Sequence, residues 1–168
     1  SPRAVFTFAD LSGLNLSGRN LADADFSGAT MVGTNFDGSK LDNAVLFGAD
    51  AQGATFREAS LRRADLRGAC LRGCDLTGAD MFEADLREGA IAAADKEKGY
   101  RVLEHVNRYG AQGVVLAGAN LERSRMSGIV AIRADFTDAV MKDAKLVRAN
   151  LKQANLSGAN MAGCDLSG

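Results

Sequence analysis

Tryptophan is absent from these 168 residues, proline and histidine occur once each, and only three residues are cysteine. An odd number of cysteines (Cys70, Cys74 and Cys164) in a chain of this composition builds no disulfide framework, so reduced thiols and a cytoplasmic setting are expected. No run of about 18 apolar residues exists, and no membrane-spanning helix is encoded. The opening SPRAVFTFAD is neither a charged-then-apolar signal peptide nor an initiator methionine. It reads as the start of a segment of a longer protein. With His105 as the single histidine, no Ser/His/Asp or Cys/His set is available for nucleophilic catalysis, and no enzyme is expected. Cys70, Cys74 and His105 could suggest a metal, but cysteine here recurs where alanine is usual and acts as a slightly larger alanine, so neither metal nor cofactor is expected. The formal net charge of -1 makes nonspecific binding to nucleic acid unexpected.

Glycine, by contrast, is abundant at 19 residues, and its placement is periodic. From Phe6 to Ile91, and again from Leu116 to Leu166, every fifth residue is apolar. Of these 29 positions, 27 are Leu, Phe, Met or Ile, the exceptions being Ala51 and Ala131. Two residues earlier stands alanine at 19 of them, with Asp or Asn usually between, and glycine follows two places later. A period of five suits neither a helix nor a strand. A large and a small residue two apart do share one side of an extended segment, and the following glycine permits a corner at positive φ. Each unit is therefore a very short strand and a corner. Such units bury apolar surface only by winding into a coil whose turns stack about 4.8 Å apart.

The units ADLSG (9–13), ADLRG (64–68), ANLSG (154–158) and CDLSG (164–168) resemble those of the pentapeptide-repeat family. The resemblance implies an all-β fold, a right-handed quadrilateral β-helix with four pentapeptides per coil, in which residues twenty apart stack. Residues 1–168 then form one domain, with coils over 4–91 and 116–168. Leu14, Val114 and Ile129 are large where alanine is usual. Arg19 puts a charge in an inward column, which predicts a local distortion that carries it to water, or an end not fully closed.

Residues 92–115 break the pattern. Lys96, Arg101 and Glu104 fall where inward residues belong, while Val102, Leu103, Val106 and Tyr109 have helical spacing between a capping Asp95 and Gly110. The spacing predicts an inserted α-helix over 96–109, either thrown out at a corner or replacing one turn. Its apolar stripe is expected to cover part of the solenoid, and Tyr100, His105 and Tyr109 are its candidate contact residues.

Outside the core, Arg57, Arg62, Arg63, Arg67, Arg72 and Arg87 crowd one stretch. Stacking at twenty residues places Phe47, Arg67 and Arg87 in one ladder and Asp42, Arg62 and Phe82 in another, with scope for cation–π contacts. These arginines and Phe82 form the candidate partner surface. The plainer reading is a self-pairing face, because residues 57–91 hold seven acids against six bases. Two functions follow. One is a non-catalytic scaffold or protein-interaction module with an unknown protein partner. The other comes from the resemblance: some members imitate B-form DNA and protect DNA gyrase from quinolones or toxins, which requires a strongly acidic surface. Acids outnumber bases in residues 4–56, but bases outnumber acids seven to five in 116–168, so the charge pattern favours the scaffold. Val5, Phe6 and Phe8 at one end, with Met161 and Leu166 at the other, predict either a homodimer through a terminal coil or a cap supplied by further sequence.

Overall fold

Each five-residue unit contributes five backbone N–H groups, and their partners define the architecture. In the unit around Phe26, Phe26 donates to the Val45 carbonyl at 2.7 Å and Gly28 to Phe47 at 2.9 Å. Asp25 donates back to Ala4 at 2.9 Å, and Ala29 closes the corner onto Phe26 at 2.9 Å. Only the N–H of Ser27 is left, and the Asp25 carboxylate accepts it at 2.9 Å. Asp10, Asn35, Asp75, Asn120 and Asn155 cap the same N–H in their own units. The motif follows from this accounting. The small residue and the leucine fill the interior, Asp or Asn satisfies the fifth N–H, and glycine turns the corner.

The computed structural model describes residues 3–87, 92–93, 101–102, 111 and 113–168. Parallel bridges join residues twenty apart, from Val5 with Asp25 to Lys145 with Asp165, so four units complete a turn and the prism has four faces. The inward columns are led by Leu11, Leu16, Leu21 and Phe6 on the first to fourth faces. Stacked ring pairs report the rise per coil directly: Phe36 and Phe56 lie 4.8 Å apart at 6°, and Phe6 and Phe26 lie 5.0 Å apart at 12°. Phe26, Phe36, Phe56, Leu76 and Met81 are completely buried.

Across the break the offset doubles. Asp75, Asp80 and Asp85 pair with Val115, Asn120 and Arg125, so twenty residues are inserted and the next coil continues the same three faces. The excursion therefore leaves and re-enters at one corner, between the fourth and first faces. Ala111 is buried and donates to Val130 at 3.0 Å, and Gly113 turns the following corner at φ 67°. The second run of coils thus starts at Ala111, five residues earlier than expected, and Val114 and Val115 belong to it. The expected helix over 96–109 falls outside the described residues except at one place. There β2 (Arg101–Val102) pairs antiparallel with β1 (Ala92–Ala93), Val102 opposite Ala92, so these two residues are strand and not helix. The pair lets Ala92–Ala93 and Arg101–Val102 satisfy backbone groups on each other. Tyr100, His105 and Tyr109 also lie outside the described residues.

One pair of irregular core positions compensates within its own unit. Ile129, buried where alanine is usual, precedes Ala131 of the same unit, buried where leucine is usual. Total volume is conserved, which cores tolerate best. Thr34 and Cys74 use the small-residue column differently: each donates to a carbonyl of the coil before, Leu11 and Ala51, at 2.8 Å. Arg19 is exposed on the first coil, and its corner bond to Leu16 is stretched to 3.4 Å, as expected of a charge reaching water.

Every described corner places its third residue at positive φ. Fifteen are glycine, but twelve are not. A Cβ in this conformation costs on the order of 1 kcal/mol. Glu58, exposed with φ 55°, is one of the twelve. Glu58→Gly is therefore expected to raise stability by up to about 1 kcal/mol, read from urea midpoints. A lower midpoint would show that the side chain contributes more than its backbone conformation costs.

Candidate functional site

Stacking separates the arginines that the sequence crowds together. Arg57 projects from the second face and Arg72 from the first. Arg62, Arg63, Arg67, Phe82 and Arg87 gather around the edge between the third and fourth faces. There the structure adds Arg123 and Arg125, brought in from one coil beyond the excursion. Sequence spacing hid this pair, because the excursion turns a twenty-residue offset into forty.

Almost all of these cations are matched. Arg67 and Arg87 make two-pronged contacts with Asp65 and Asp85, at 2.7–2.9 Å. Arg62 reaches Asp80 at 2.8 Å while lying 4.6 Å from the Phe82 ring centroid. Arg123 covers the same ring at 5.7 Å and pairs with Glu83 at 2.9 Å. Arg67 lies 5.5 Å from Phe47, so both expected ladders form. Away from this edge, Arg57 binds Asp37 at 2.8 Å. Arg63 and Arg72 bond to Asn43 and Gln52. Exposed pairs of this kind each contribute about 0–1 kcal/mol, so the ladder fixes side-chain positions more than it stabilises the fold.

Asp85 is the hub, with Arg87 at 2.8 Å, Arg125 at 3.7 Å and Arg67 at 4.0 Å. Partial burial pulls its carboxyl upward, yet the hydrogen bonds from Arg87 outweigh this and hold it below the usual aspartate range. Asp37 is lowered in the same way, against its own desolvation, by Arg57 and Thr55. A lowered folded value means that ionised carboxylate favours the fold above the unfolded value of about 4. Stability should hold from neutral pH down to about 4 and decline below it as protons bind. Asp85→Asn should flatten part of that decline in a pH series of thermal melts. An unchanged acid limb in the variant would remove Asp85 from the account.

Burial pushes the thiols of Cys70, Cys74 and Cys164 up, away from the reactive thiolate. Among the described residues no group of His, Cys, Asp and Glu has the makings of a metal site. No described helix is long and apolar enough to cross a membrane.

Eight copies of the pentapeptide repeats model match the chain, over residues 3–38, 39–78, 59–88, 112–146 and 134–168. The chain belongs to the pentapeptide repeat family. Among solved structures it is similar to a pentapeptide repeat protein of the Arabidopsis thaliana thylakoid lumen, at 29% identity over 77% of this chain and 66% of that one, with a TM-score of 0.43. It is similar also to a trypsin-treated variant of QnrB1, a plasmid-mediated fluoroquinolone resistance protein, at 21% identity over 96% of this chain and 76% of that one, TM-score 0.51. HetL of the cyanobacterium Nostoc, a pentapeptide repeat protein involved in heterocyst differentiation regulation, matches at 24% identity over 96% and 80%, TM-score 0.31. The QnrB1 likeness is one of fold. No curated protein matches the chain.

Proposed function

We propose that this pentapeptide repeat protein is a non-catalytic scaffold that binds a protein partner through its outward faces. The observation that carries the reading is the ordered charge ladder on a filled prism. Inward columns occupy the interior with side chains, so chemistry is confined to four faces whose residues repeat at the coil rise. Asp37, Asp65, Asp80 and Asp85 each have an arginine nitrogen within 2.8 Å, which fixes the relief of those faces before any partner arrives. A cytoplasmic setting is part of this reading, supported by three free cysteines.

The same pairing argues against imitation of DNA, which needs unbroken negative surface. Cross-linking with a partner from the source cell is expected to map to outward columns and to give a defined stoichiometry. Protection of DNA gyrase from a quinolone at stoichiometric protein would overturn the reading. Self-association belongs to the same proposal: Val5, Phe8 and Leu166 are 66%, 55% and 57% exposed on the first and last described coils. Sedimentation should then depend on concentration, and a strict monomer at high concentration would exclude a terminal-coil dimer.

A further inference from the structure

The edge between the third and fourth faces differs from the others in its corner residues. Asp23, Asn43, Arg63, Glu83, Arg123 and Asp143 occupy six successive corners there, all at φ 56–61°. The edge after the first face has glycine at its first five, from Gly13 to Gly113. Glycine is the relaxed choice in this conformation, so this edge keeps side chains against the backbone's preference.

Towards the second run of coils the ladder stops neutralising itself. Arg125 reaches Asp85 only at 3.7 Å, and among the described residues neither Lys142 nor Lys145 has a carboxylate within 4.0 Å. Together with Arg123, Glu122 and Asp143 they line a depression that spans two coils. Arg125, Val140 and Lys145 also stand where Asp or Asn would cap an N–H. Of the N–H groups left without such a cap, that of Lys142 lies in this depression and lacks the side-chain acceptor that Asn120 gives Glu122 at 3.1 Å, while those of Ser127 and Val147 belong to the next edge. Unneutralised cations and one free donor meet on this stretch of the edge.

We propose that this stretch, centred on Arg125, Lys142 and Lys145, docks an acidic segment of a protein partner. The proposal rests on the interaction-module reading and gives it a surface. Carboxylates of an extended segment would meet Arg125, the two lysines and the uncapped N–H of Lys142. Glu122 and Asp143 interrupt the cations, which disfavours a continuous polyphosphate backbone but leaves room for a peptide whose acids are spaced.

The test uses fluorescein-labelled octaglutamate and, separately, a single-stranded oligothymidine of equal charge, titrated with the full chain at low and moderate salt. Octaglutamate is expected to bind, and the double variant Lys142→Glu/Lys145→Glu to weaken it about tenfold. Arg133→Glu/Lys152→Glu, which makes the same charge change on the first face, should leave binding unaltered. Arg123→Gly should weaken binding without lowering the melting temperature. Equal loss in both double variants, tighter binding of the oligothymidine, or a clear fall in melting temperature for Arg123→Gly would each overturn the proposal. If octaglutamate fails to bind while a partner protein cross-links to another face, this edge is excluded and the scaffold reading stands.

Discussion

Leu76→Ala is expected to destabilise the fold by about 2–5 kcal/mol, and Arg72→Ala by less than about 0.5 kcal/mol. The two residues lie four apart on one chain. Leu76 is completely buried in the second-face column, between Phe56 and Leu116, which are as fully buried. Its backbone is held at 2.7 Å to Val115 and its corner at 3.0 Å to Ala79, so the coil cannot collapse onto a shortened side chain. A void left in a close-packed column loses both transfer energy and contacts. Arg72, by contrast, touches Gln52 through exposed groups. Urea unfolding of both variants decides, with slopes compared to confirm that the unfolded state is unchanged. Similar midpoints for the two would mean that the inward register is wrong.

The columns were legible because a five-residue period admits one assignment of inside and outside: leucine and alanine inward, the charged fourth residue outward. The capping role of Asp and Asn was legible only as a preference for corners. It takes the hydrogen bonds to show that four N–H groups per unit find backbone and the fifth does not. Ala111 was missed because a small residue stood where a large one defines the column. Gly113, turning the corner after it, was the available signal. The arginine cluster was legible as composition but not as a surface, since adjacent units point to different faces. Arg123 and Arg125 join Phe82 and Asp85 only when the twenty inserted residues are subtracted. That number was in the spacing, but the choice between a corner excursion and a replaced turn was not.

Ala79→Arg is expected to abolish cooperative folding, although the chain already carries arginine in that same column. Arg19, Ser39, Ala59, Ala79 and Ala119 stack on the third face, each two residues before a core residue. Arg19 stands on the first coil, exposed, with its corner bond lengthened to 3.4 Å. Ala79 stands mid-stack, fully buried between Ala59 and Ala119, with the same bond at 3.0 Å. No solvent lies within reach of a guanidinium there, and the described core offers no carboxylate to pair with it. Overpacking alone costs about 1–3 kcal/mol, and an unpaired buried charge adds several more. The sum approaches the whole stability of a domain, about 5–15 kcal/mol. Arg19→Ala should do the opposite, leaving the midpoint unchanged or slightly raised, because it returns the column to its ordinary residue. Thermal melts followed by circular dichroism separate the two. An Ala79→Arg variant that melts cooperatively within a few degrees of the unsubstituted protein would show that the prism opens mid-stack as readily as at its first coil, and the close-packed interior would have to be abandoned.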